Sequence, residues 1–265
     1  LKHLGEFNNE SMVEIFSAWN ETEELQGYLT EITADIFRKK DAETEGDLID
    51  KIDDQAGQKG TGKWTTIAAL HLGVCIPSIN ADVDARIMSG STQERVEGKD
   101  LPVVVDDTEP VPKAMKFRSA IRSSMELSGI CSYGQGFDLV QKASKEYEWN
   151  ISLSEVARIW RGGCIIRSSL LKRLQNAYSS DAKMATAATQ YLIHRFGGER
   201  QMEWRRVVEL GISWNVPVPV LSASLTYYDA MTRERLPQCL VQAQRDYFGA
   251  HTYKRTDKEG VFHTE

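Results

Sequence analysis

Residues 117–140 read FRSAIRSSMELSGICSYGQGFDLV, and this stretch decides the fold. Phe117, Ile121, Met125, Ile130, Phe137 and Val140 recur at roughly helical spacing, as the inward side of one long α-helix. The spacing predicts a helix across 113–149, with Gly134 and Gly136 as points where it bends or where another helix comes close. Working outward, the prolines agree. Of seven, none precedes Pro77 and none falls between Pro112 and Pro217. A proline inside a helix costs about 3 kcal/mol, so two long stretches are left open to helix after helix.

Local signals fill those stretches. Ser11-x-x-Glu14 is a capping-box pattern, followed by Met12, Ile15, Phe16 and Trp19 on one helical face. Leu25, Tyr28, Leu29, Ile32, Ile36 and Phe37 repeat that face through a second helix. Ser152-x-x-Glu155 opens another, running through Trp160 and stopped by Gly162-Gly163. Helical periods continue through 170–178, 184–196, 204–210, 221–231 and 240–248. No stretch alternates apolar and polar residues long enough to build a sheet. Residues 89–112, with three prolines, read as a surface loop, and 252–265 as a polar tail. The predicted class is all-α: a large multi-helix domain over 1–250 and an extended C-terminal tail over 251–265.

Composition bounds the function. Thirty-two basic against thirty-eight acidic residues leave a net charge of −6 over 265 residues, which argues against a general nucleic-acid or anionic-membrane binder. No apolar run approaches the roughly 18 residues of a membrane span, and no signal segment opens the chain. Cys75, Cys131, Cys164 and Cys239 are widely spaced, with no CxxC. That pattern points to reduced thiols in the cytoplasm rather than to disulfides or zinc. His71 and His194 lack metal-ligand spacing and read as structural; no metal is expected. The chain opens on Leu1-Lys2, without an initiator methionine, and reads as part of a longer product. Charge is uneven: residues 21–54 hold twelve acids and four bases, whereas 231–258 hold six bases and three acids, interleaved with Tyr247, Phe248, His251 and Tyr253.

Three places could carry chemistry. Gly57-x4-Gly62-Lys63 matches a P-loop until Trp64, where a magnesium-binding hydroxyl should stand. The preceding 47–54 is acidic rather than a buried strand, which argues against an NTPase. The loop's physics remains: closely spaced glycines, Lys59, Lys63 and a following helix N-terminus can cradle an anion. The residues alone leave this open against a glycine-rich connector. Arg86 lies on the next predicted helix. Arg245 and His251 stand six apart across Gly249, a spacing that could aim both at one phosphate or carboxylate, or could equally be a helix-end arginine and an exposed histidine. Cys164, between Arg161 and Arg167, reads as packed. No G-x-G-x-x-G occurs, so the chain carries no visible dinucleotide fold of its own.

Several separated motifs together resemble the 6-phosphogluconate dehydrogenase family. They are Ala56-Gly57-Gln58-Lys59-Gly60-Thr61-Gly62-Lys63-Trp64-Thr65, then Trp160-Arg161-Gly162-Gly163-Cys164-Ile165-Ile166-Arg167, then the twelve residues from Gln242 to Tyr253. Residues 129–137 and 219–228 are similar more loosely, and the likeness spans nearly the whole chain in order. It implies an NADP-dependent, decarboxylating oxidoreductase of the pentose phosphate pathway, built as a homodimer whose tail reaches into the other subunit. The matching part is the helical domain and most of the tail. The N-terminal coenzyme domain and the family's catalytic lysine and glutamate lie before Leu1, so no residue here takes a catalytic role, and the chain alone is expected to be inactive.

The resemblance carries substrate-binding roles onto Lys59 and Thr61 in the loop, Arg86 after it, and Arg245 and His251, the last two donated across the dimer. The chain departs from the family at Asp84, where a hydrophobic residue is usual, and at Cys75, where proline is common. The implied reaction oxidises the 3-hydroxyl of 6-phosphogluconate, with NADP as hydride acceptor, and then releases CO2 to leave ribulose 5-phosphate. Two alternatives stand beside this. One is a non-catalytic helical dimerisation or metabolite-sensing module that keeps the phosphate site. The other is a β-hydroxyacid dehydrogenase for a non-phosphorylated acid, against which the basic stretch around Arg245 and His251 argues.

Overall fold

The long helix expected around residue 130 is the axis of the structure, a computed structural model that describes residues 1–5, 7–105, 114–180 and 185–264. Numbering helices along the chain, α1 is Lys2–Gly5, α2 Asn9–Asn20, α3 Tyr28–Arg38, α4 Thr61–Leu72, α5 Pro77–Gly90 and α6 Thr92–Gly98. The axis itself is α7, Ala114–Glu146, followed by α8 Leu153–Trp160, α9 Leu170–Ser180, α10 Ala185–Ser213, α11 Pro219–Met231 and α12 Cys239–Gly249. Backbone pairing between extended segments among the described residues is confined to isolated bridges, such as Tyr253 with Phe262. The all-α expectation holds. No helix of the described residues is long and apolar enough to cross a membrane.

α7 runs 33 residues, about 50 Å, and Gly134 and Gly136 do not break it. Its middle is buried on more than one side. Phe117, Ile130 and Phe137 are buried as expected, whereas Ile121, Met125 and Val140 are partly buried. Leu127 and Cys131 join them, and so do Ser123, Ser124, Glu126, Ser128 and Gln135, which an apolar stripe does not reveal. Around this axis α8, α9, α10 and α11 contribute Ala157, Leu171, Leu174, Trp204 and Tyr228 to one core cluster. Each large apolar side chain so buried contributes about 1.5–3 kcal/mol. Burial also pushes the Cys131 thiol up to about 12, which keeps it protonated and inert.

A second cluster joins Met12, Ile15, Phe16 and Trp19 of α2 to Ala34 of α3. Here the helix starts differ from the expectation. Asn8, not Ser11, caps α2: its side-chain oxygen accepts the Ser11 N–H at 2.8 Å. On α3 the buried residue is Ala34, while Leu29 and Ile36 stay exposed, because α2 approaches the small side of that helix. Ser152 does cap α8, accepting from Glu155 N–H, and Gly163, at φ 71°, turns the chain away just past its end.

Two further differences concern breaks. The expected loop of 89–112 contains α6, because the prolines begin only at Pro102; its residues 106–112 lie outside the described residues, as do Met184 and the side chain of His194. The two periods read at 184–196 and 204–210 form one element, α10, with non-helical backbone angles at Gly198. The described residues group into two compact units, Leu1–Tyr228 and Asp229–Glu265, so α12 groups with the tail.

Candidate functional site

In the first unit, the glycine-rich loop and the two helices after it form one construction. Gly60 adopts φ 107°, a left-handed conformation that glycine tolerates, and α4 begins at the next residue. No side chain caps that start, so the first-turn N–H groups face outward from the end of α4. Gly73, at φ 66°, ends α4, and Pro77 starts α5. α4 and α5 then run back along each other. Thr66 Oγ1 donates to Asn80 Oδ1 at 2.9 Å, and a Cβ placed on Gly62 would stand 2.8 Å from Val83 Cγ2. The loop before α4 continues the same pairing. Ala56 N–H donates to Ser89 Oγ at 2.9 Å, Gln55 Nε2 to Thr92 Oγ1 at 3.0 Å, and Arg95 clamps Asp54 with two hydrogen bonds of 2.7 and 2.9 Å.

Gly62 against Val83 and Ala56 against Ser89 bracket the two cations in sequence, with Lys59 between Ala56 and Gly62 and Arg86 between Val83 and Ser89. Lys59, Thr61 and Arg86 therefore gather at one end of the α4–α5 hairpin. All three are exposed, and Lys59 has no hydrogen bond or ion pair among the described residues. Arg86 leans on Asp82, one turn back, at 3.2 Å. Asp82, rather than Asp84, is thus its counter-ion, and an exposed pair of this kind is weak enough for an anionic ligand to displace. The P-loop analogy ends in the structure as it did in the sequence: the loop follows a 3-10 turn, Leu48–Lys51, instead of a strand.

In the second unit, α12 and the tail fold onto a buried carboxylate. Asp246, 2% exposed, accepts from Thr252 N–H at 2.8 Å and Thr264 N–H at 2.9 Å, and meets His263 Nδ1 at 2.9 Å. Burial alone would push this carboxyl up; the Thr264 amide, His263 and the Thr252 amide outweigh it and hold the group below its ordinary range. Tyr253 and Phe262 exchange backbone hydrogen bonds, so residues expected as an extended tail close into a small hairpin. The His251 ring lies over Gly249: a Cβ there would be 2.9 Å from both ring Cδ2 and Nε2. Gly249 is four residues after Arg245 on the same helix, so arginine and imidazole share one face of α12. Arg245 keeps a 3.2 Å hydrogen bond to Gln242 Oε1 and is otherwise exposed.

Each expected residue is thus placed within its own unit: Lys59, Thr61 and Arg86 together in the first, Arg245 and His251 together in the second. Cys164 is half-buried, its thiol directed to Trp160 O at 3.0 Å, which fits packing. A cavity of about 600 Å3 lined by Met125, Gly129, Trp160, Ile165 and Leu170 is largely apolar and unsuited to a phosphorylated acid. Among the described residues no cluster of His, Cys, Asp or Glu could hold a metal ion. Sequence reasoning missed Asp246, because an acid among bases reads as a solvated residue, and missed the clamp between Asp54 and Arg95, whose partners lie far apart in sequence.

Comparison with known proteins supplies the setting. The family model described as "6-phosphogluconate dehydrogenase, C-terminal domain" matches residues 1–265. The decarboxylating 6-phosphogluconate dehydrogenase of Synechococcus elongatus is 45% identical over 270 residues, covering 100% of this chain and 56% of its own length. The NADP(+)-dependent, decarboxylating enzyme of Bacillus subtilis is 45% identical over 268 residues, with 100% and 56% coverage. Among solved structures, Plasmodium falciparum 6-phosphogluconate dehydrogenase, described in apo form and in complexes with its cofactor NADP+ and its substrate 6-phosphogluconate, superposes with a TM-score of 0.93 at 39% identity, over 99% of this chain and 56% of that one. The chain spans about half the length of the curated relatives it matches.

Proposed function

The chain belongs to the 6-phosphogluconate dehydrogenase family through its C-terminal domain, and from that membership we propose that it is the substrate-holding part of an enzyme converting 6-phosphogluconate and NADP+ to ribulose 5-phosphate, CO2 and NADPH. NADP supplies the hydride acceptor. The described residues hold no sheet and no glycine-rich strand-to-helix turn, so they do not fit a dinucleotide; coenzyme binding and the catalytic acid and base fall to chain outside these 265 residues. What this chain contributes is position. Lys59 and Arg86, in the glycine loop and the last turns of α5, and Arg245 and His251, at and just past the end of α12, supply the cations and donors that a phosphate dianion needs. Thr61 adds a hydroxyl at the helix start. Holding the phosphate fixes the distant reacting carbon, and binding energy far from the chemistry lowers the barrier in this way.

The observation that carries this reading is the uncapped start of α4, tied to the last turns of α5 through Val83 and Ser89, with Lys59, Thr61 and Arg86 all exposed there. A second copy of the chain is the proposed partner, its tail donating Arg245 and His251 to the other subunit's site. Exposed Trp64, Ile67 and Leu70 along α4, and Tyr247 and Phe248 ending α12, supply apolar surface for such a dimer. The proposed location is the cytoplasm. Steady-state kinetics of the full-length protein test the assignment. Arg245→Ala should raise the KM for 6-phosphogluconate about 100-fold or more, leaving the KM for NADP+ unchanged. An unaltered 6-phosphogluconate KM overturns the site, and a full-length protein that never reduces NADP+ favours the non-catalytic sensing module instead.

A further inference from the structure

The start of α5, eight residues before Arg86, is held by a polar cluster inside the core, and the phosphate site does not account for it. Ser78, Ser128, Gln135 and Ser224 come from α5, α7 and α11 and are all buried, Gln135 completely. Ser78 N–H donates to Gln135 Oε1 at 3.0 Å, and Gln135 Nε2 donates back to Ser78 Oγ at 2.9 Å. Ser78 is the second residue of α5, where a backbone N–H has no partner within its own helix. Ile76, at the cap position, offers no side-chain acceptor. The cap of α5 is therefore supplied from another helix, by a side-chain amide that pairs with Ser78 twice.

The hydroxyls extend the clamp in one direction. Ser224 Oγ donates to Val220 O at 2.7 Å and lies 2.7 Å from Ser78 Oγ and 2.8 Å from Ser128 Oγ. A hydroxyl has one proton and two lone pairs. With its proton on Val220, Ser224 accepts from both other serines and is saturated. Each member then has a partner of defined polarity, and such a network holds one arrangement rather than several. Pure apolar packing would stabilise the core as well, without fixing the rotation and height of α5 so narrowly.

We infer that Gln135 is a positioning residue for the substrate phosphate: through Ser78 it fixes α5 on the central helix and so sets where Arg86 stands relative to the glycine loop. This rests on the phosphate-site reading above. From Ser78 to Arg86 the helix is about 12 Å of regular backbone, stiff enough to carry a shift at its start to its far turn. Ser89 Oγ then donates to Arg86 O at 2.7 Å while accepting from Ala56 N–H, tying the same turn to the glycine loop. Misplacement of a binding group by about 1 Å is enough to lower catalytic efficiency severely.

The test is a double-mutant cycle in the full-length enzyme. Gln135→Leu should raise the KM for 6-phosphogluconate about tenfold, with kcat and the KM for NADP+ within about twofold of the parent. In an Arg86→Ala background the same substitution should add almost nothing to KM, because its effect passes through Arg86. A merely structural role would instead disturb both substrates, or multiply independently with Arg86→Ala. Either outcome, or an unchanged KM in folded Gln135→Leu, overturns the inference. Should that variant fail to fold, Ser78→Ala keeps the N–H···Oε1 bond, removes the hydroxyl links, and should raise KM about threefold with the same non-additivity. If Arg86→Ala alone leaves KM unchanged, the phosphate-site reading falls and this inference with it. A strong Arg86→Ala effect beside a silent cycle overturns this inference alone.

Discussion

At the scale of single residues, the placement of His251 depends on what residue 249 lacks. Its ring occupies the space where a side chain at 249 would begin, so even a methyl group must push the imidazole away from the Arg245 face. Gly249→Ala in the full-length enzyme should raise the 6-phosphogluconate KM about tenfold while the melting temperature stays within a few degrees, read by kinetics and calorimetry. Gly62 has the same logic in the first unit, where Val83 fills the space over it. Both glycines stand in motifs that the sequence displays openly. Their reason does not: glycine at 62 reads as part of an anion cradle or a connector and turns out to lie against Val83 of the next helix.

Elements are held by polar groups that pattern reading passes over. The tail hairpin closes on Asp246, and this makes it sensitive to acid. The folded carboxyl sits below its ordinary range, so it binds its proton less readily than in the unfolded chain. Its contribution is therefore complete above the usual carboxylate value, about 4, and is lost as pH falls through the lower folded value. Protection of the Thr252 and Thr264 amides against hydrogen exchange, relative to their intrinsic rates, should hold at neutral pH and collapse in acid; Asp246→Asn should weaken it at neutral pH. The helices themselves were legible. α8, α9, α11 and α12 fall close to where capping residues, glycines and apolar periods place them, because such signals are local. α6 was hidden by the composition of its surroundings, and the cap of α2 is Asn8, three residues before the expected Ser11.

Across the first unit as a whole, one buried carboxylate ties distant parts of the chain together. Glu126, its side chain 1% exposed, meets Arg173 of α9 at 2.8 Å and also pairs with Arg200 of α10, which reaches Glu24 at 3.0 Å. Removing the acid takes away the one carboxylate that Arg173 and Arg200 share in the core. Glu126→Ala should cost about 3–5 kcal/mol of unfolding free energy in chemical denaturation, far more than loss of any exposed pair such as Arg158 with Glu155. Nothing around Glu126 marks it in the sequence, where it stands as a charge in an otherwise apolar and small-residue run.

The sequence by itself determined that this chain is helical and roughly where most of its helices lie. Backbone preference, capping and the absence of prolines are local and survive without any partner. Its motifs also carried the family resemblance, and with it the substrate-binding roles proposed for Lys59, Thr61, Arg86, Arg245 and His251. Only the tertiary structure decided that the Arg86 turn is tied through Ser89 to the glycine loop, that His251 folds over Gly249, and that Gln135 caps a helix 57 residues away. Those relations depend on which faces pack and in what register, and registers are chosen by the burial of whole surfaces rather than by any short stretch of chain.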